Sequence, residues 1–182
     1  MLLDNFIRFL RIKKVKKYIP KNVVLCDLGC GPTAFFLNLL KTKIEKGVGI
    51  DKKVKQISKE NLKLINFEIQ KQILLPDKSI DCLTMLAVLE HLNYPEQVLK
   101  ECWRVLKKNG FLIITVPSPI ADPILRFLAY KLKLIETKEL EDHKHYFSVK
   151  KLSKILKQTG FQVLKLKKFE FGFNIFVLAV KQ

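Results

Sequence analysis

The chain has 182 residues, enough for one domain with a full core. Its 48% apolar and 28% charged residues are the balance of a soluble globular protein, and no apolar run approaches the ~20 residues of a membrane span. The net charge is +17, but the 34 Lys and Arg are nearly all Lys and lie along almost every helix and strand edge. A sequence-specific reader of nucleic acid would need more of the bidentate Arg contacts, so a Lys-rich background is favoured over a dedicated polyanion surface.

No secretory leader is expected, because Met1–Leu10 carries Asp4 and Arg8 and lacks a small-residue cleavage site. Cys26, Cys30, Cys82 and Cys102 have neither C-x-x-C nor zinc-finger spacing, which reads as reduced thiols in a cytoplasmic protein.

In chain order, Leu2–Lys17 has Leu3, Phe6, Ile7 and Leu10 at helical spacing and a basic end at Lys13, Lys14, Lys16 and Lys17. Residues 1–20 are thus expected to be an amphipathic basic helix packed on a main domain at 21–182. Val23–Leu28 reads as the first strand, Thr33–Leu40 as a helix and Lys46–Asp51 as the second strand, with a short helix around Lys53–Ser58. Leu62–Ile69 and Ile80–Ala87 are strands three and four. Pro95–Lys107 is a helix with Pro at its first position, Val98, Leu99, Cys102 and Leu106 on one face, and Gly110 just past its end. Phe111–Val116 is strand five. Pro117-Ser118-Pro119 breaks the pattern, and Ile120–Leu134 is an apolar, partly helical stretch inside a lid insertion expected at 119–141. Ser148 reads as the N-cap of a helix Val149–Thr159 that stops at Gly160. Phe161–Phe169 and Phe173–Val180 pair around Gly172, the last strand antiparallel. The alternation predicts an α/β fold: a Rossmann-like, doubly wound, mainly parallel seven-stranded sheet with helices on both faces. In such sheets the ligand lies at the carboxyl ends of the strands, where Gly29, Asp51, Ile69, Ala87 and Pro117 fall.

The densest signal is Val23-Val24-Leu25-Cys26-Asp27-Leu28-Gly29-Cys30-Gly31-Pro32-Thr33-Ala34, followed by Gly49-Ile50-Asp51. An apolar strand runs into a glycine turn, and a helix follows near Pro32-Thr33, where Pro is tolerated and free N–H groups favour anions. The second strand ends on a carboxylate about 20 residues further on, the usual place for an acid that accepts hydrogen bonds from ribose hydroxyls. This arrangement suits an adenosine-containing cofactor. Gly29-x-Gly31-x-x-Ala34 fits the dinucleotide fingerprint, so NAD is one reading. Asp27 argues for another. It would repel a pyrophosphate, but would pair with the ammonium of S-adenosylmethionine, directly or through water.

Taken together, these segments resemble the class I S-adenosylmethionine-dependent methyltransferases, in particular the small single-domain, type 11-like enzymes acting on small molecules and lipid-linked precursors. The resemblance covers about residues 21–181. It rests on Asp27-Leu28-Gly29-Cys30-Gly31, Gly49-Ile50-Asp51, Leu74-Leu75-Pro76-Asp77-Lys78-Ser79-Ile80-Asp81 and Val88-Leu89-Glu90-His91-Leu92. It continues through Glu101–Gly110 and His145-Tyr146-Phe147-Ser148 leading to Thr159-Gly160-Phe161. By that resemblance S-adenosyl-L-methionine is the cofactor. Asp27, Gly29, Cys30 and Gly31 would hold its methionine end, Asp51 with Lys52 its ribose, Glu68 and Ile69 its adenine, and Leu86 and Ala87 would line it near the sulfonium. Glu68 stands where the family often has Asp, and Pro32-Thr33 where a further Gly is common.

Methyl transfer from a sulfonium is an in-line displacement in which the cofactor supplies the reactivity, so the protein mainly aligns the acceptor, with a base where a hydroxyl must lose its proton. His91 and His143 are the catalytic candidates; His145 is expected to tether the insertion. No metal is expected, since Asp142, His143 and His145 offer one carboxylate and two His locally. The favoured function is methylation, at oxygen, of a small-molecule or lipid-linked acceptor. The N-terminal helix and the apolar insertion offer a face for peripheral membrane contact. Two alternatives stand beside it: an RNA methyltransferase, with nucleic acid the less favoured partner, and a non-catalytic cofactor-binding or partner subunit.

Overall fold

The computed structural model describes residues 2–126, 130–131 and 142–182. Its elements in chain order are α1 (Leu2–Lys16), β1 (Val24–Leu28), α2 (Phe35–Leu40), β2 (Lys46–Asp51), β3 (Ile57–Lys59), β4 (Leu62–Asn66) and β5 (Ile80–Leu86). They continue with α3 (Pro95–Val105), β6 (Leu106–Pro117), α4 (Ala121–Arg126), α5 (Val149–Gln158), β7 (Phe161–Phe169) and β8 (Asn174–Lys181). The strands form one sheet in the order β3-β4-β2-β1-β5-β6-β8-β7. From β4 to β6 all neighbours are parallel, and β8 runs antiparallel to both β6 and β7.

Alternation along the central strands sends successive side chains to opposite faces, and both faces are apolar. Leu25, Ile113 and Phe176 face α1 and α2, where they meet Ile12, Val15, Phe36, Leu37 and Leu40. Leu28, Ile50, Met85, Ile114 and Val177 face α3 and α5 and meet Val98, Leu99, Cys102, Leu152, Ile155 and Leu156. This is the doubly wound sandwich expected, with helices on both faces. All four cysteines are free and buried.

Among the described residues the sheet has eight strands, not seven. The extra one is β3, at the edge, where a short helix around Lys53–Ser58 was expected. Ile57, Ser58 and Lys59 pair antiparallel with Leu64, Lys63 and Leu62 across a two-residue turn whose Glu60 adopts φ 54°. All three β3 residues are exposed, so they carry none of the apolar alternation that marks a half-buried strand.

Other boundaries also move. α2 begins at Phe35, after a turn in which Ala34 takes φ 45°, so Pro32 and Thr33 are not its first turn. α3 ends at Val105 because Leu106 is already extended (φ −70°, ψ 139°), and Lys181 Nζ donates to the carbonyls of Trp103 (2.6 Å) and Leu106 (2.7 Å) at the helix's end. Gly110 therefore lies within β6. β4 stops at Asn66, leaving Glu68 and Ile69 in the loop beyond it. Ser148 caps α5 as expected, its Oγ accepting from Lys151 N at 3.2 Å, and Gly160 follows the helix with φ 90°. The lid expected at 119–141 lies largely outside the described residues.

Candidate active site

β1 and β2 end side by side, and the glycine turn folds over the end of β2: Gly29 N donates to Ile50 O at 2.8 Å. Gly29 and Gly31 both take φ 71°, a conformation that suits glycine. Their surroundings differ. A Cβ on Gly29 would stand 2.3 Å from Val88 Cγ2, so Gly29 is where the loop after β5 presses on the turn. A Cβ on Gly31 would meet nothing within 4 Å. Gly31 thus opens onto free space at the carboxyl edge of the sheet, where a ligand can lie against bare backbone.

Asp51 ends β2 beside that opening. Its carboxylate accepts from Gly31 N at 2.9 Å and from Lys53 N at 2.7 Å. The Lys52 ammonium lies 3.4 Å from the Glu68 carboxylate on the same rim, so Asp51, Lys52 and Glu68 are brought together despite the shortened β4. Cys30 is buried between the turn and Gly49, and burial pushes its thiol up to about 12, leaving it an inert wall. Leu86 ends β5, and Ala87 follows in a left-handed conformation (φ 58°) with its N–H bonded to Thr115 O at 2.9 Å.

Asp27 is the decisive residue. It is 3% exposed, and the Thr84 hydroxyl donates to its Oδ1 at 2.6 Å. Burial raises its pKa to about 7, opposed by the Thr84 bond and reinforced by the charge of Asp51. Two carboxylates under a glycine turn would repel a pyrophosphate. They suit a group that brings positive charge, as the ammonium of S-adenosylmethionine does, while Asp51 remains available to hydroxyls. Over residues 2–166 the chain matches the family model described as "Methyltransferase domain". The chain belongs to the class I S-adenosylmethionine-dependent methyltransferases.

Two relatives that match 82% and 86% of this chain are methyltransferases by name. One is the ubiquinone biosynthesis O-methyltransferase of Pelagibacter ubique, 29% identical over 172 residues, covering 82% of this chain and 71% of the relative. The other is the demethylmenaquinone methyltransferase of Lactobacillus johnsonii, 27% identical over 183 residues, covering 86% and 75%. A shorter match, 36% identical over 101 residues, spans half of this chain but only 29% of an uncharacterized 37.1 kDa protein of a Streptomyces fradiae transposon. Among solved structures, a SAM-dependent methyltransferase from Aquifex aeolicus superposes with TM-score 0.68 at 21% identity, covering 94% of this chain and 89% of that one. One from Mesorhizobium loti gives 0.73 at 14%, covering 93% and 96%. These structures are similar in fold.

Beyond Val88 the chain makes a short turn at Leu89–His91, and residues 142–147 of this methyltransferase dock on it: Lys144 N and His145 N donate to Glu90 O at 2.9 and 3.1 Å. Docking brings His91 and His143 together, ring centroids 4.8 Å apart and nearly edge-on at 65°. His91 Nδ1 lies 3.2 Å from Asp142 O and 3.4 Å from the Asp142 carboxylate. His143 Nδ1 lies 3.4 Å from the Tyr146 hydroxyl, which donates to Asp122 at the start of α4. Burial, aided by His91, lowers the pKa of His143 to about 4, so it is a neutral imidazole near neutral pH. His145 turns elsewhere, toward Phe147 and a surface groove with Asn93, Tyr94 and Lys151.

Sequence reasoning missed Thr84, Glu90, Asp122 and Tyr146 as parts of these two constellations and weighed Asp142 only as a local neighbour of His143 and His145. Thr84 is 57 residues from Asp27, a pairing made only by the adjacency of β1 and β5. Glu90 is visible beside His91 in the sequence, but its nearness to His143 comes from the docking of residues 142–147.

Proposed function

We propose that this enzyme transfers the methyl group of S-adenosylmethionine to an oxygen of a small-molecule or lipid-linked acceptor. The observation that carries the reading is the pair of imidazoles, His91 and His143, held one short turn past the Val88–Gly29 contact. When bound, S-adenosylmethionine supplies the activated methyl group. Asp27 and the open backbone at Gly31 would receive its methionine end, Asp51 and Lys52 its ribose, and Glu68 and Ile69 its adenine. Leu86 and Ala87 would wall the reacting centre. His91, oriented through Nδ1 by Asp142, would receive the hydroxyl proton of the acceptor, with His143 beside it. The names of the Pelagibacter relative, an O-methyltransferase of ubiquinone biosynthesis, and of the Lactobacillus relative, a demethylmenaquinone methyltransferase, support a quinone-type acceptor, and the first of them supports oxygen.

A second reading is favoured by one feature. Lys14 lies among Lys17, Lys165 and Lys167, whose charges add to partial burial in lowering its pKa, so one face carries crowded positive charge suited to a polyanion such as RNA. One experiment separates the two. Purified protein is incubated with S-adenosylmethionine and either ortho-dihydroxy aromatics bearing an isoprenoid tail or total RNA, and S-adenosylhomocysteine release is followed. Turnover on the phenols that falls at least about tenfold in His91→Ala supports the first reading. Turnover on RNA alone, weakening steeply with salt, supports the second.

A further inference from the structure

We propose that Glu90, His91 and His143 form a divalent-metal site on the acceptor side of the cofactor cleft. One ligand atom from each lies within 4.8 Å of the others. Two imidazoles and a carboxylate are a borderline donor set, suited to zinc, manganese, iron or cobalt rather than to magnesium or calcium. Tetrahedral ligands at about 2.1 Å stand about 3.4 Å apart, so the group needs to contract by about 1.4 Å at most, within reach of side-chain rotation.

The surroundings match those of ligating histidines. Such an imidazole normally fixes its far nitrogen on a carboxylate, carbonyl or hydroxyl, leaving the near one for the metal. Here His91 Nδ1 faces the carbonyl and carboxylate of Asp142, and His143 Nδ1 faces the Tyr146 hydroxyl, itself anchored on Asp122. Both rings are therefore oriented with Nε2 as the free nitrogen. The backbone is fixed as well, since Glu90 O takes two N–H bonds from the segment that carries His143. The Glu90 side chain is buried, 1% exposed, so the site is screened from bulk water on one side.

Three protein ligands leave a position for the acceptor. A hydroxyl bound there would release its proton to solvent at a lowered pKa and be held in line. Its lone pair would form the new carbon–oxygen bond as the methyl–sulfur bond breaks, its electron pair staying on sulfur. This role rests on the oxygen-methylation reading above and, with the metal bound, takes the place of His91 as proton acceptor, because a ligating Nε2 has no lone pair left for a proton; the metal binding itself does not rest on that reading.

The test uses the full chain, stripped with a chelator and titrated with Co2+, followed by visible absorption, and with Mn2+, followed by loss of its free-ion paramagnetic resonance signal. A single equivalent should bind at micromolar concentration. His143→Ala should weaken binding more than about a hundredfold and Tyr146→Phe about tenfold. S-adenosylhomocysteine binding is measured on the same samples and should survive both substitutions. No saturable binding, or binding that His143→Ala leaves unchanged, would overturn the site. Loss of S-adenosylhomocysteine binding in the unsubstituted protein would instead count against the enzyme reading.

Discussion

Gly29 and Gly31 share one backbone angle but not one environment, and the pair makes a sharp test. Placing a Cβ at φ 71° costs about 1–2 kcal/mol, partly offset by the lower entropy of the unfolded chain with Ala, about 0.4–1 kcal/mol. Gly31→Ala meets no neighbour, so its net cost should be near 1 kcal/mol. Gly29→Ala adds the 2.3 Å approach to Val88. Overpacking of that kind costs about 1–3 kcal/mol more, for a total of about 2–4 kcal/mol. For a domain of this size each kcal/mol shifts Tm by about 2–4 °C. Calorimetry should show a drop of about 2–4 °C for Gly31→Ala and roughly two to four times that for Gly29→Ala. Cofactor affinity should order the other way per unit of stability lost: Gly31→Ala fills the space over the open backbone and should raise the Kd for S-adenosylhomocysteine at least about tenfold, the value of about 1.4 kcal/mol of lost contact. Equal Tm losses would refute the steric account. Unchanged affinity in Gly31→Ala would refute the placement of the cofactor.

Three further outcomes follow from the same geometry. Asp27 has its folded pKa raised to about 7 from 3.8, so its own contribution to ligand-free stability is full at acid pH and is lost as pH rises from about 4 to 7, by up to about 4 kcal/mol at 1.4 kcal/mol per unit; His143, lowered to about 4, works in the opposite direction over part of that range, so the slope should be read from the difference between wild type and Asp27→Asn in pH-resolved denaturation. Asp27→Asn should also weaken S-adenosylhomocysteine binding above pH 7. Lys181→Ala should cost about 2–4 kcal/mol in urea unfolding, because two carbonyls at the end of α3 lose their buried donor.

The parallel core and the glycine turn at its carboxyl edge were legible because their signals are local. Apolar strands alternate with amphipathic helices, and Asp27, Gly29, Gly31 and Asp51 stand at fixed offsets along the chain. The segments quoted for the family resemblance are physically joined: Arg104 donates to Glu101 and Asp77 and to the carbonyls of Leu75 and Ile73, tying α3 to the lead-in of β5. What stayed hidden depends on long-range closure. Edge strand β3 has no buried face to pattern. The α2 start moved because Ala34, not Pro32, makes the turn. Thr84, Tyr146 and Asp122 become site neighbours only through strand adjacency and docking of 142–147.

The central claim is that the glycine turn and Asp51 bind S-adenosylmethionine. Calorimetric titration with S-adenosylhomocysteine, with NADH as the control ligand and Asp51→Ala as the control protein, tests it most directly. Each hydrogen bond to a charged group is worth about 1.5–3 kcal/mol, so loss of two ribose bonds should weaken the mutant by at least about a hundredfold. Micromolar binding of S-adenosylhomocysteine, none of NADH, and that loss in Asp51→Ala are the predicted results. Binding of NADH instead, or S-adenosylhomocysteine affinity indifferent to Asp51, would contradict the account.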